Sequence, residues 1–213
     1  MKKILLLLLV IISTNLFAQR GIASVKLGYF GPAAASGGFI IGFEGGRAVD
    51  HNFGFGWSVD WFNKNYVDKN LVNDFNNYYG IVDGSINELR AETNLHDFPL
   101  MATMYAKFPL APFTKLYFTG GVGAEILIIN YNNFQNPDES ELHAAFDFNW
   151  RIGSGILYEG GRFTDFFFEL TYHSSQPSWE YEVEDRSKSF KRTFERSFDM
   201  SGFMARVGVK FYY

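Results

Sequence analysis

The chain has one grouping with the ingredients of nucleophilic catalysis. Glu169, His173 and Ser175 follow one another at spacings of four and two residues, with Ser174 between them. A hydroxyl, an imidazole and a carboxylate in contact can attack an acyl group, the imidazole taking the proton and the acid orienting it. The other histidines, His51, His96 and His143, are scattered, and no zinc-type His pair, phosphate loop or nucleophile elbow appears. Gly120-Gly121-Val122-Gly123 reads as strand packing rather than a nucleotide loop. Cysteine is absent, which excludes a disulfide scaffold, a thiolate metal site and a lipid-modified leader cysteine. A formal net charge of −4 gives no reason to expect nucleic acid.

These residues must be positioned by strands. After the first segment the sequence alternates with period two, which is the mark of strands with two different faces. The alternation predicts eight strands, near 22–31, 37–47, 53–63, 96–108, 115–129, 143–158, 164–174 and 199–213. The third is the clearest: Phe53, Phe55, Trp57, Val59 and Trp61 alternate with Gly54, Gly56, Ser58 and Asp60. Short connections at 48–52, 109–114 and 159–163 alternate with long polar ones at 64–94, 130–142 and 175–198, while 32–36 is a short link in a long slot. That is the pattern of an antiparallel meander with tight turns at one end and longer loops at the other.

The first segment stands apart. Met1-Lys2-Lys3 precedes an unbroken apolar run from Ile4 to Ile12, and Leu16-Phe17-Ala18 ends it before Gln19. This reads as a cleaved signal peptide over 1–18, too short for a spanning helix, leaving 19–213 as one domain. No later stretch is long and apolar enough for a membrane helix, so a membrane-embedded mature chain has to be a closed barrel.

The two faces decide between a soluble and a membrane barrel. One is nearly all Phe, Trp, Tyr, Leu, Ile and Val. The other mixes glycine with both signs of charge: Lys26, Glu44, Asp60, Asp97, Lys107, Glu125, Asp147, Arg151, Glu169, Arg206 and Lys210. Glycine would only weaken a solvated strand, but inside a narrow eight-stranded barrel it leaves room for long charged neighbours. A near-neutral set of charges suits a closed interior, where unpaired charge is costly. The expected fold is therefore all-β, a single eight-stranded antiparallel up-and-down transmembrane β-barrel with its charges in the lumen. Glu169, His173 and Ser175 then face inward, whereas a site that modifies lipid must open to the bilayer. His173 is accordingly read as an interfacial residue beside a loop, and no catalytic, cofactor or metal site is assigned.

Three passages carry a family resemblance. Asp97-Phe98-Pro99-Leu100-Met101, Lys115-Leu116-Tyr117-Phe118-Thr119-Gly120-Gly121 and the terminal Ala205-Arg206-Val207-Gly208-Val209-Lys210-Phe211-Tyr212-Tyr213 resemble strands of the small outer-membrane β-barrels common in Bacteroidetes-type bacteria, of the OmpA/OmpX shape. The resemblance implies residence in the outer membrane beside lipid and lipopolysaccharide. It also implies that the last strand, ending on an aromatic residue, is read by the barrel-insertion machinery. Each motif is loose, and Tyr213 stands where that group usually ends in Phe.

The expected role is structural or surface-interacting and non-catalytic, without a cofactor. A small-solute porin is the first alternative and a lipid-modifying enzyme the second. Large lumen residues Tyr105, Arg151, Arg206 and Tyr212 argue against an open channel. The long loops are the place for an unknown surface partner. Segment 64–94 carries Tyr66, Phe75, Tyr78 and Tyr79, and segment 176–198 carries Trp179 and Tyr181, then Lys188, Lys191 and Arg192. These segments are expected to form hairpins extending the wall, with an exposed edge or aromatic patch as the contact surface.

Overall fold

The computed structural model describes residues 20–67, 92–132, 140–184 and 191–213. The expected leader and the centres of the long loops, with Phe75, Tyr78, Tyr79 and Lys188, lie outside the described residues. The alternating stretches form β1 (Gly21–Pro32), β2 (Gly38–Ala48), β3 (Phe53–Val67), β4 (Glu92–Ala111), β5 (Thr114–Asn132), β6 (Ser140–Glu159), β7 (Thr164–Ser174), β8 (Ser178–Glu184), β9 (Lys191–Ser197) and β10 (Gly202–Tyr212). Sequential neighbours from β1 to β7 pair antiparallel, β7 pairs β10, and β10 pairs β1. The result is a closed eight-stranded barrel, and closure leaves no exposed edge in its wall. There is no helix among the described residues.

Arg20, Tyr213 and the three tight turns, at 49–52, 112–113 and 160–163, share one end. Phe113 takes a left-handed φ of 62° in the tightest of them. The opposite rim is uneven. β4, β5 and β6 have 20, 19 and 20 residues, whereas β1, β2 and β7 have 12, 11 and 11. The expected limits of the long strands are too short: 92–95, 130–132 and 140–142 are paired strand rather than loop.

β8 and β9 also correct the expected outline. Residues 199–201 are not strand, and 178–184 and 191–197 are. The chain breaks at Ser175–Pro177, then resumes beside β6, with Ser178 opposite Phe146. β9 returns along β8 in register from Glu184↔Lys191 to Ser178↔Ser197. At 198–201 it breaks again, and Phe198 and Met200 turn into the interior. Backbone bonds from Phe198 N to Pro177 O and from Met200 N to Ser175 O knit the two breaks together. The hairpin thus continues β7 and β10 beyond the rim.

Side-chain parity sorts the chain as its pattern implies. Outward positions are exposed and apolar, including Leu27, Trp57, Val122, Ile152, Leu170 and Val207. Aromatic clusters lie near both ends, with further rings such as Phe168 on the wall between them. Tyr172 lies between Trp150 and Phe203, at 5.8 and 5.1 Å, on the loop side, and Phe108 between Phe53 and Phe118, at 6.4 and 6.0 Å, on the turn side. Phe203 and Phe211 mark the two ends on β10, eight residues apart. At about 3.4 Å per residue and a tilt near 40° they are separated by about 21 Å along the axis.

Candidate functional site

The interior is a stack of layers, each set by inward parity. At its middle lies a lattice of buried ions. Asp60, 1% exposed, accepts from Arg151 at 2.5 Å and from Arg206 at 3.0 Å. Arg206 also reaches Glu169 at 2.7 Å. Lys26 bridges Glu44 at 2.6 Å and Glu169 at 3.4 Å, and Lys210 meets Glu44 at 3.4 Å. Each carboxylate here meets two cations, which is what offsets the cost of desolvating both partners.

Glycines make this packing possible. A Cβ on Gly42 would stand 2.0 Å from Asp60 Oδ1, and one on Gly54 would stand 2.1 Å from the Tyr105 hydroxyl. Only a bare backbone lets those side chains lie flat against the neighbouring strand.

Above the lattice, on the loop side, His173 Nε2 donates to Glu125 Oε2 at 2.8 Å, and Asn149 donates to the same oxygen at 3.0 Å. Asp97 is fully buried beside Glu125. Then comes an apolar plug of Phe30, Ile40, Phe62, Leu95, Leu127, Ile129, Ala145 and Met204, completed by Phe198 and Met200 from the inturned segment. Phe30 packs edge-on against both Phe62, at 5.2 Å, and His173, at 5.8 Å. Below the lattice Tyr105, Tyr117, Phe167, Ile22 and Leu157 form a second apolar layer. Lys210 Nζ sits over the Tyr105 ring at 4.2 Å. Beneath that, Lys107 donates to the Tyr212 hydroxyl, which donates to Asp165, with Lys107 and Asp165 3.7 Å apart. The interior is therefore not polar throughout: two apolar layers close it.

The structure brings ten of the eleven proposed lumen charges inside: Lys26, Glu44, Asp60, Asp97, Lys107, Glu125, Arg151, Glu169, Arg206 and Lys210 are all buried. Asp147 keeps the inward parity of Asn149 and Arg151 on β6 but differs from the rest in burial. It is half-buried at the loop rim, where it accepts from Gln176 N at 2.6 Å and Ser175 Oγ at 3.4 Å and so pins the β7–β8 break. Asp165 is a buried charge of the interior as well. The expected set omits it, although it shares the parity of Glu169 and His173 on β7.

His173 is a correction. It is wholly buried rather than interfacial. Nor does it form the Ser–His–acid grouping, because its partner is Glu125, Glu169 is held by Arg206 and Lys26, and Ser175 binds Asp147. His96 stacks beside Trp61 and accepts its indole N–H at 3.3 Å. At the turn end Asp50 accepts the amides of Phe53 and Asn52, both at 2.7 Å, which hold its carboxyl below the usual range.

Of the loop residues singled out by sequence, Trp179 and Tyr181 stand on β8, and Lys191 and Arg192 on β9. Tyr181 is opposite Phe194, Val183 opposite Arg192, and Glu184 opposite Lys191. β9 has β8 as its one strand partner among the described residues.

No protein-family model and no curated protein sequence matches the chain. Solved structures do. A major outer membrane protein from Thermus thermophilus superposes with a TM-score of 0.62 at 14% identity, over 92% of this chain and 100% of that one. Neisserial surface protein A superposes with a TM-score of 0.56 at 8% identity, over 92% and 97%. At such identities the likeness is one of fold: this chain is a closed eight-stranded antiparallel barrel of the kind those small proteins share.

Proposed function

We propose that the chain is an integral protein of the bacterial outer membrane, exported with a leader over 1–18, that works without catalysis by presenting a plugged barrel and its hairpin at the cell surface. The observation that carries this is the inversion of ordinary packing. Full charges are buried in pairs, while Phe, Trp, Leu and Val cover the outside, with aromatic clusters near both ends. In water such an outer face would be an aggregation hazard. In a bilayer it is the required surface, with aromatic girdles at the two interfaces.

The height fits as well. A spanning strand needs about 9–11 residues, so the shorter strands suffice and β4, β5 and β6 project beyond. The two similar structures named above are outer-membrane or surface proteins by name. The three sequence passages described above support placing this barrel with those of Bacteroidetes-type bacteria, and support reading of the last strand by the insertion machinery. The closed interior favours the surface role over a solute channel. β9 offers the partner-facing edge, since a strand paired on one side is a template for another. Trp179, Tyr181, Lys191 and Arg192 are carried on that hairpin, where a partner or lipopolysaccharide would meet them.

Refolding into vesicles tests the reading. The expected result is a heat-modifiable gel shift with conductance at the level of a bare bilayer. A steady ohmic conductance would move the assignment to a channel, and lipid-modifying activity abolished by His173→Ala would move it to an enzyme.

A further inference from the structure

The turn end of the barrel opens into a cup of about 510 Å³. Its floor is the buried Lys107–Tyr212–Asp165 relay, and the aromatic layer of Tyr105, Tyr117 and Phe167 shuts it off from the lattice beyond. Its walls come from Arg20 just ahead of β1, the 49–52 turn and the 160–163 turn. Three acids line it, and each is already engaged. Asp165 meets Lys107 and Tyr212, Glu159 meets Lys115 at 2.5 Å, and Asp50 takes two turn amides. Lys107 and Lys115 are thereby taken, but the two arginines of the lining are not. Arg20 and Arg162 are exposed and have no carboxylate partner among the described residues, and His51 adds a further ring nitrogen.

We propose that this cup is a binding site for a phosphate group carried on a small organic ligand. Two guanidinium groups can hold phosphate oxygens through paired, charge-assisted N–H donors. Lys107 and the ring of Tyr212 supply a charged and a flat surface deeper in. The volume exceeds what an inorganic ion fills and lies in the range of small-molecule pockets. Asp165 and Glu159 are paired with Lys107 and Lys115, so Asp50 alone of the lining acids opposes Arg20 and Arg162, and an entering anion meets a net positive cup. The site follows from the geometry of this end alone; that it faces the periplasm rests on the membrane reading. The phosphate could belong to a lipid headgroup of the adjoining leaflet or to a soluble phosphorylated compound.

The test uses the full barrel refolded in a detergent without phosphate, with isotope-labelled amides followed by NMR. Glycerol phosphate is expected to shift the amides of 49–51 and 160–162 saturably. Arg20→Gln with Arg162→Gln is expected to weaken binding about tenfold or more, through lost charge-assisted hydrogen bonds. Lys64→Gln on the opposite rim leaves it unchanged, and the gel shift verifies that each variant is folded. If glycerol phosphate is silent but an anionic phospholipid in nanodiscs shifts the same amides, with the same dependence on Arg20 and Arg162, the ligand is the headgroup. No saturable shift with either probe, or equal loss in Lys64→Gln, overturns the proposal.

Discussion

Asp60→Ala is the perturbation that probes the lumen lattice most sharply. Asp60 is the counter-ion shared by Arg151 and Arg206. Removing it leaves Arg206 with Glu169, but leaves Arg151 with no ion-pair partner among the described residues, its Nε and Nη2 already without hydrogen bonds. Uncompensating one buried charge costs about 3–5 kcal/mol, or two to more than three decades in the folding equilibrium at about 1.4 kcal/mol per decade. Because Arg206 keeps a partner, the loss should fall within this range rather than double it. Replacing Arg151 as well, as Asp60→Ala with Arg151→Met, removes the stranded charge. The double variant should therefore be more stable than Asp60→Ala, with a coupling energy of about 1–3 kcal/mol. Equilibrium unfolding in vesicles, followed by tryptophan fluorescence and the gel shift, supplies the four corners of the cycle. A single-variant loss below about 1 kcal/mol, typical of exposed pairs, or a double variant no better than Asp60→Ala, would refute a dry, paired lattice.

Three further outcomes follow from other layers. Phe30→Ala with Phe62→Ala should destabilise by several kcal/mol, since each buried Phe truncation costs about 3–5. Conductance should nevertheless stay at background, because the lattice and the second aromatic layer remain in series. Gly54→Ala should cost about 1–3 kcal/mol by overpacking against Tyr105, and unfolding curves should show part of that recovered when Tyr105→Leu is added. The Asp50 turn should be pH-dependent. Its carboxyl is depressed in the folded chain, so its contribution is full above the ordinary carboxylate value of about 4 and fades as pH falls through the lower folded value. A loss of amide protection at Asn52 and Phe53 in acid, measured against the intrinsic exchange rate at each pH and absent in Asp50→Asn, would register it.

Much of this architecture is legible because a strand repeats every two residues. Once Trp57 and Asp60 are assigned to opposite faces, every residue of β3 follows, and the same parity carries Lys26, Glu44, Arg206 and Lys210 inward. The reading falters where pattern and burial part company. Asn94 and Asn130 look like loop residues, yet they pair with each other in a ladder projecting past the apolar belt, where polar side chains suit a strand equally well. Met200 looks like the start of the last strand and Phe198 like the end of the loop before it, but both fold inward at the break after β9. His173 and Asp165 share one parity, and only the three-dimensional register shows that their partners are Glu125 and Lys107, from other strands. The apolar plug has the same origin: Phe30, Phe62, Leu95 and Leu127 come from four strands, and no local pattern reveals that they meet.

Val207→Arg offers the most direct test that the outer face meets lipid. Val207 is 56% exposed and lies on β10 midway between Phe203 and Phe211, which lie near the two ends of the wall. Unfolding of the wild-type and variant barrels should be compared in the same lipid vesicles. A mid-depth arginine on the lipid face is expected to cost about 2–4 kcal/mol. A change within about 0.5 kcal/mol, the ordinary cost of a surface substitution in water, would mean that this face is not embedded in a membrane.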